Sequence, residues 1–389
     1  MKTKIIFTLR NFERGGIPRV LINLCEALDG EHYDISIFCG NCHGMFLSKL
    51  PKKVKLLREN IFLKSIICDL NREKPLKRIF PASVKLLRKV LQKVFNFDLL
   101  DSINRKIARK IAEMNFDVAW ACEEGLPGVW ISQCRGKKFL WLHNDYHFES
   151  ARGDLISPTD FSRFDKIICV AAHNAAAFGE KFPQFAEKCE VLYNIVNTEE
   201  ITRLSTNIPD DKNFDASRFS LISIGRFSPE KQFEAIPGIA RKLLDRGYDF
   251  FWYIIGGGGK IETSRLQHKI AESQVQEQVI LLGEKSNPYQ YLAKCQLLAL
   301  TSRFESYPTV INEAKILQIP VLSTHFNGVE EILSCDHGII ADIDDFAMVL
   351  ADLIDDPEKL AALRKNPTDF KAHNDAVLEK FQLLTDTKK

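Results

Sequence analysis

Short runs of consecutive apolar residues recur along the chain, separated by stretches in which apolar positions return every three or four residues. In the first half Lys4–Leu9, Asp34–Phe38, Asp117–Ala121, Lys138–His143, Lys166–Val170 and Cys189–Tyr193 read as strands. Gly16–Leu28, with Val20, Leu21, Leu24 and Leu28 on one stripe, reads as a helix. From about Asn194 to Ser217 apolar density falls, and Asn207-Ile-Pro-Asp-Asp-Lys-Asn213 collects turn formers, a linker signature. The alternation then restarts. Strands are expected at Phe219–Ile224, Phe250–Ile255, Val279–Leu282, Leu297–Thr301, Pro320–Ser323 and Gly338–Ile340, and helices at Gln232–Arg246, Ile261–Ser273 and Asp345–Ile354.

Continuous apolar strands alternating with amphipathic helices predict parallel sheets covered on both faces, an α/β class. A length of 389 residues is enough for two such cores. The reading is two Rossmann-like doubly wound domains, 1–200 and 201–372, with 373–389 a last helix crossing back to the first. Ligands of such sheets bind beyond the carboxyl ends of the strands, so two facing domains would hold theirs in the cleft between them. With 45% hydrophobic and 27% charged residues the composition is that of an ordinary globular protein, which excludes disordered and collagen-like classes. The first strand is too short for a signal-peptide core, and no run approaches a membrane span, so a cytoplasmic chain is expected.

Two features change that picture. Cys39-Gly-Asn-Cys42-His43 has the spacing of c-type haem attachment, but it follows a strand and no export signal accompanies it, so chance spacing is preferred. Lys+Arg 53 against Asp+Glu 51 leaves a net charge of only +2, too balanced to signal a nucleic-acid binder by itself, and no nucleic-acid partner is expected. Residues 51–110, however, hold 17 basic and 5 acidic side chains, a local excess of +12. Within it Val84, Leu87, Val90, Leu91 and Val94 alternate helically with Lys85, Arg88, Lys89 and Lys93. Such a helix suits an anionic membrane surface, and equally a solvated helix that packs its stripe on the domain.

The chemistry concentrates in the second half. Gly225-Arg226-Phe-Ser-Pro-Glu-Lys231 follows a strand, and an Arg with a Lys five residues on suits a diphosphate. Gly256-Gly-Gly258-Gly259 again joins strand to helix and lets backbone approach an anion, although Ile261 breaks the dinucleotide fingerprint. Glu305 and Glu313 straddle a helix start at Pro308 and Thr309, with the free amides of Ser306–Val310 between them as an anion site. Asp342-Ile-Asp344 has a metal-binding look, but N-capping by Asp344 explains it.

These motifs together resemble the retaining family 4 (group 1) glycosyltransferases of the GT-B fold. Glu305…Glu313 matches their E-x7-E signature, with Ser306-Tyr307 where Gly-Phe is usual. Gly15-Gly16-Ile-Pro-Arg19 matches their first glycine loop, and Trp141-Leu-His143-Asn-Asp145 a segment whose His approaches the donor sugar. Asn287-Pro-Tyr289 and Gly328-Val-Glu-Glu331 match further landmarks. The resemblance implies a nucleotide-sugar donor, UDP-linked, held by Gly15, Gly16, Arg226, Lys231, Gly256, Gly258, Tyr307, Thr309, Val310 and Glu313. It implies catalytic roles for Glu305, His143, Arg226 and Lys231, with Glu313 accepting the ribose hydroxyls. The first domain would take the acceptor, with Glu124 as a candidate contact. The acceptor would be a glycan or lipid-linked, as in capsule or lipopolysaccharide synthesis. No cofactor and no metal are expected. A non-catalytic nucleotide-sugar-binding subunit is the alternative.

Overall fold

A computed structural model describes residues 2–12, 15–44, 46–57, 60–67, 79–95, 97–143, 161–333, 337–364 and 370–386. The chain divides into two compact units, Met1–Ile195 with Asn374–Lys389, and Val196–His373.

Among the described residues the N-terminal unit holds a seven-stranded sheet. Its strands are β1 (Thr3–Asn11), β2 (Tyr33–Asn41), β3 (Lys55–Leu56), β4 (Val118–Ala121), β5 (Lys137–Leu142), β6 (Lys166–Cys169) and β7 (Cys189–Val191). They lie in the order β3-β2-β1-β4-β5-β6-β7, all parallel. The C-terminal unit holds β8 (Phe219–Ile224), β9 (Phe250–Ile255), β10 (Val279–Gly283), β11 (Leu297–Leu300), β12 (Val321–Thr324) and β13 (Gly338–Ala341). Their order is β10-β9-β8-β11-β12-β13, again all parallel. Both sheets reverse direction once, between β1 and β4 and between β8 and β11. The middle of β1 (Ile5–Leu9) is buried, and β4, β8, β9 and β11 almost wholly so, as sheets covered on both faces require.

Several expectations need correction. The 194–217 linker contains a helix, Thr198–Ser205, capped by Asn197 Oδ1 accepting from the Glu200 amide at 2.9 Å. Its Ile201 packs with Val196, Tyr289 and Phe370, which fixes the division at Ile195/Val196 instead of 200/201. The helix expected at Gln232–Arg246 starts as two 3-10 turns, Pro229–Lys231 and Phe233–Ala235, and becomes α-helical only over Ile236–Asp245. Asp345, not Asp344, occupies the cap position of Phe346–Asp355, and its side chain makes no cap bond. The eight described cysteines are free, with Cys39 inside β2 and Cys42 beyond it.

The basic segment forms helices at Ile61–Ile67, Ile79–Phe95 and Leu99–Glu113. Arg58, Arg72, Lys74, Lys77 and Arg78 lie outside the described residues. Leu99–Glu113 buries Leu100, Ile103, Ile107 and Ile111 in the unit's core. Ile79–Phe95 does not pack its stripe: it buries only Val84, while Leu86, Leu87, Val90, Val94 and Phe95 stand 64, 47, 44, 65 and 70% exposed. Phe62 and Phe80, both exposed, bring their rings within 6.1 Å of each other beside it.

The helix Phe370–Thr385 carries its last turns into the N-terminal unit. There Phe381, fully buried, stacks on Trp120 at 5.2 Å and meets Tyr33 and Phe7 at 6.0 and 6.5 Å. Lys380 pairs with Glu190 at 3.2 Å, and Lys137 Nζ donates to the Leu384 carbonyl at 3.1 Å. Truncating a buried aromatic ring leaves a cavity that costs about 3–5 kcal/mol. Phe381→Ala is therefore expected to lower the unfolding free energy of the N-terminal unit, measured by urea titration, by an amount of that order, while Leu383→Ala, on the exposed side of the same helix, leaves it within error.

Candidate functional site

The loops after β8, β9 and β11 are bonded to one another. Gly225 N donates to Ile255 O at 3.0 Å, and Phe227 N to Gly257 O at 2.9 Å. A Cβ at Gly256 would lie 1.7 Å from the Gly225 carbonyl oxygen, and one at Gly258 2.8 Å from the Phe227 Cβ. Both positions therefore need glycine to let the β9 turn close on the β8 loop. The β11 loop joins the same assembly, since Arg303 N donates to Glu230 O at 2.8 Å.

This bonding brings together Lys231 and Glu305, 74 residues apart in sequence. Their side chains form an ion pair while only 18 and 9% exposed. Ser302 Oγ donates to the same carboxylate oxygen, Glu305 Oε1, at 2.8 Å. A pair so shielded from water is screened little by salt, so each charge holds the other firmly. Arg226 behaves differently: its side chain is 63% exposed, with the guanidinium 3.7 Å from Glu230. The two basic residues share a loop, but only Lys231 is enclosed. Ser228 Oγ, between them, is enclosed with no hydrogen-bond partner.

Eight residues beyond Glu305, Glu313 lies on the helix Thr309–Ile316, one turn in, and is 5% exposed. Tyr289 Oη donates to its Oε1 at 3.5 Å. Pro308 sits at the cap position instead of the first turn, and no side chain caps the helix. Val310 packs in the core, so only its backbone could face a ligand, and Thr309 opens the helix half-buried. Tyr307 is held above the usual phenol range by desolvation, with Glu331 adding to the rise. Among the described residues no group of three or more His, Cys, Asp or Glu gathers to hold a metal.

Gly15, Gly16, Glu124 and His143 belong to the N-terminal unit. Gly15 precedes the helix Gly16–Ala27 with φ 119°, a conformation that favours glycine, and nothing lies within 4 Å of where a Cβ would stand. Glu124 is buried just past β4, next to Glu123, which accepts from the Arg10 amide at 2.6 Å and pairs with its guanidinium at 3.1 Å. Arg10 also donates to the Glu124 carbonyl at 3.3 Å. Arg10, on β1, was not singled out from the sequence: it stands alone in an apolar run, and only the β1–β4 pairing shows its role. Asn144 and Asp145, part of the segment around His143, lie outside the described residues.

His143 follows β5 with its ring 5.0 Å from Trp141, and its Nε2 is enclosed without a partner among the described residues. Desolvation lowers its pKa to about 3, so the imidazole is neutral near pH 7. In the unfolded chain it takes up a proton near pH 6.5. Between those values the unfolded state binds the extra proton, so stability falls as pH drops, by up to about 1.4 kcal/mol per pH unit. Denaturant unfolding at pH 7, 6, 5 and 4 should show wild type losing more stability than His143→Gln. Parallel curves for the two proteins would place the imidazole in water.

Residues 205–369 match the family described as glycosyl transferases group 1. The chain is 26% identical over 221 residues to N-acetylgalactosamine-N,N'-diacetylbacillosaminyl-diphospho-undecaprenol 4-alpha-N-acetylgalactosaminyltransferase of Campylobacter jejuni, a match taking in 55% of this chain and 56% of that one. It is 29% identical over 220 residues to an uncharacterized glycosyltransferase of Methanocaldococcus jannaschii, covering 54% of this chain and 53% of the relative. The chain thus spans about half the length of these curated relatives. Among solved structures it resembles Anabaena HepE in complex with UDP-glucose (TM-score 0.70, 18% identity, 98% of this chain and 99% of that one). It also resembles TarM, described in another crystal structure as an S. aureus protein (TM-score 0.73, 13% identity, 100% and 99%). These likenesses bear out the GT-B fold of two Rossmann-like domains.

Proposed function

We propose that this chain, which carries a group 1 glycosyltransferase domain within a GT-B fold, transfers a sugar from a UDP-linked donor, with retention, to a lipid-linked glycan acceptor. The observation that carries the reading is the enclosed Lys231–Glu305 pair at the carboxyl ends of β8 and β11, with the buried Glu313 one helix turn beyond. Three further facts support it: the HepE complex holds UDP-glucose, and two Campylobacter relatives act on undecaprenol-linked sugars.

In this reading Lys231 and Arg226 meet the diphosphate, on which charge grows as the glycosidic bond breaks. The ammonium gives up part of its hold on Glu305 to do so. Glu305, still hydrogen-bonded by Ser302, then accepts from the donor sugar's hydroxyls, and Glu313 accepts from the ribose. The glycine turn at Gly256–Gly258 lets backbone amides approach the phosphates. His143, neutral, serves the sugar as a hydrogen-bonding partner, and Gly15 and Gly16 keep the first glycine loop open. Glu124 serves the acceptor. Two basic side chains do for the leaving group what a divalent metal does elsewhere, so the reaction runs without one.

The purified protein, incubated in EDTA with UDP-glucose, UDP-galactose, UDP-N-acetylglucosamine and UDP-N-acetylgalactosamine in turn, should release UDP from one of them. Lys231→Ala should lower that rate by about 2.7–4 kcal/mol, or 10²–10³-fold. Binding of UDP without release from any donor would favour the non-catalytic subunit. Abolition by EDTA, reversed by magnesium or manganese, would overturn the metal-free mechanism.

The acceptor reading extends to the membrane. The exposed apolar side chains of Ile79–Phe95 stand beside Lys85, Arg88, Lys89 and Lys93, in a segment with an excess of +12. An apolar stripe enters the acyl boundary while the cations meet lipid phosphates, at about 1 kcal/mol each. Among the described residues no helix is long and apolar enough to cross a bilayer; the attachment proposed is that of a helix lying in the interface. Flotation should carry the protein with phosphatidylglycerol vesicles at low salt, not with phosphatidylcholine vesicles, and not at ~1 M salt, where the Debye length is ~3 Å. Changing Lys85, Arg88, Lys89 and Lys93 together to Gln should abolish it. Flotation with neither vesicle type would favour a soluble acceptor.

A further inference from the structure

We infer that Thr301 is a positioning residue: it fixes the backbone from which the Lys231 ammonium reaches the donor, and so sets the rate of sugar transfer without touching the substrate. The inference rests on the proposed role of Lys231.

Thr301 follows β11 and is fully buried. A buried hydroxyl needs a partner, and this one finds it in another loop: Oγ1 lies 3.0 Å from the Lys231 carbonyl oxygen and 3.3 Å from that of Gln232. One proton is shared between two carbonyls on successive residues, which holds the peptide between them from one side. That peptide needs holding. Lys231 ends one 3-10 turn, and Gln232 sits between this turn and the next in a left-handed conformation, φ 49°, which costs a non-glycine residue energy. Two further bonds tie the same stretches together: Arg303 N to Glu230 O, and the Lys231–Glu305 ion pair. Residues 301, 303 and 305 thus each grip the loop 230–232.

The three grips are not equivalent. The ion pair is the one a donor phosphate disturbs, because the phosphate competes with Glu305 for the ammonium. Once that happens, the Thr301 and Arg303 bonds still keep the loop in register with Glu305. A lysine side chain has four rotatable bonds, so a displaced or loosened backbone spreads the amine over many positions. A misplacement of about 1 Å costs on the order of 10²-fold in rate. A hydroxyl buried at the base of the loop prevents it.

Thr301→Val keeps the volume and removes the hydroxyl. It should lower kcat for UDP release roughly tenfold and leave KM for the donor within about twofold, since the ammonium still attracts the phosphate but no longer sits where charge develops. Thr301→Ser, which keeps the hydroxyl, should restore wild-type kcat. Should the valine variant fail to fold, Thr301→Ala carries the same expectation without an added methyl. In the Lys231→Ala background Thr301→Val should cost nothing more, because the group it positions is gone. The donor is whichever of the four UDP-sugars above gives the fastest release. Wild-type kcat in Thr301→Val, or an equal loss with and without Lys231, would overturn the inference. Wild-type turnover in Lys231→Ala alone would instead overturn the role given to that lysine.

Discussion

The adjacency of β8 and β11 is the constraint on which the C-terminal site depends. Crossovers between parallel strands are right-handed, so the chain runs outward from β8 through β9 and β10 and must return to β8's other side to begin β11. The connections leaving these two neighbours depart in opposite directions, and a crevice opens between them at their carboxyl ends. Lys231 and Glu305 stand on its two walls. Neither side chain would be enclosed without the other: a lone charge so shielded is costly, and the pair makes the burial tolerable. Gly256, whose backbone closes on Gly225, supplies the third wall.

The N-terminal unit uses the same topology for a different balance of charge. At its reversal between β1 and β4, Arg10 is engaged by the Glu123 carboxylate and by the Glu124 backbone carbonyl, so a single cation holds one acid and the backbone of the next. Further along the strand ends His143 is kept neutral by desolvation. Positive charge is instead exported to the surface, in part onto the helix Ile79–Phe95, whose apolar residues also face outward. The near-zero total charge conceals this segregation: residues outside 51–110 carry about −10, from +2 − (+12).

What could be read from the sequence follows from the same physics. Strands buried on both faces are continuous apolar runs, so β1, β8, β9 and β11 stood out, while β3, two exposed residues at an edge, carries no such signal. The helix Thr198–Ser205 escaped because it buries one residue, Ile201, and leaves no stripe; its Asn197 cap was the available clue. Glu305 and Glu313 were legible because eight residues spanning a helix start is a local pattern. The Lys231–Glu305 pair was not, since a separation of 74 residues acquires meaning only once β8 and β11 are neighbours. The stripe of Ile79–Phe95 was visible as a pattern, but a stripe does not say whether it meets the core: Leu99–Glu113 buries its own there, and Ile79–Phe95 buries only Val84.

Because Phe381 completes the aromatic cluster of Phe7, Tyr33 and Trp120, the N-terminal unit is discontinuous in sequence, while Val196–His373 is one uninterrupted stretch. On the ribosome the order of completion is therefore inverted. The first unit to emerge must wait for the last helix, which at about 5–20 residues per second leaves Trp120 without its stacking partner for roughly ten seconds or more. The unit made second can close first. A nascent chain of this design carries Trp120 without its stacking partner until Phe381 has been made.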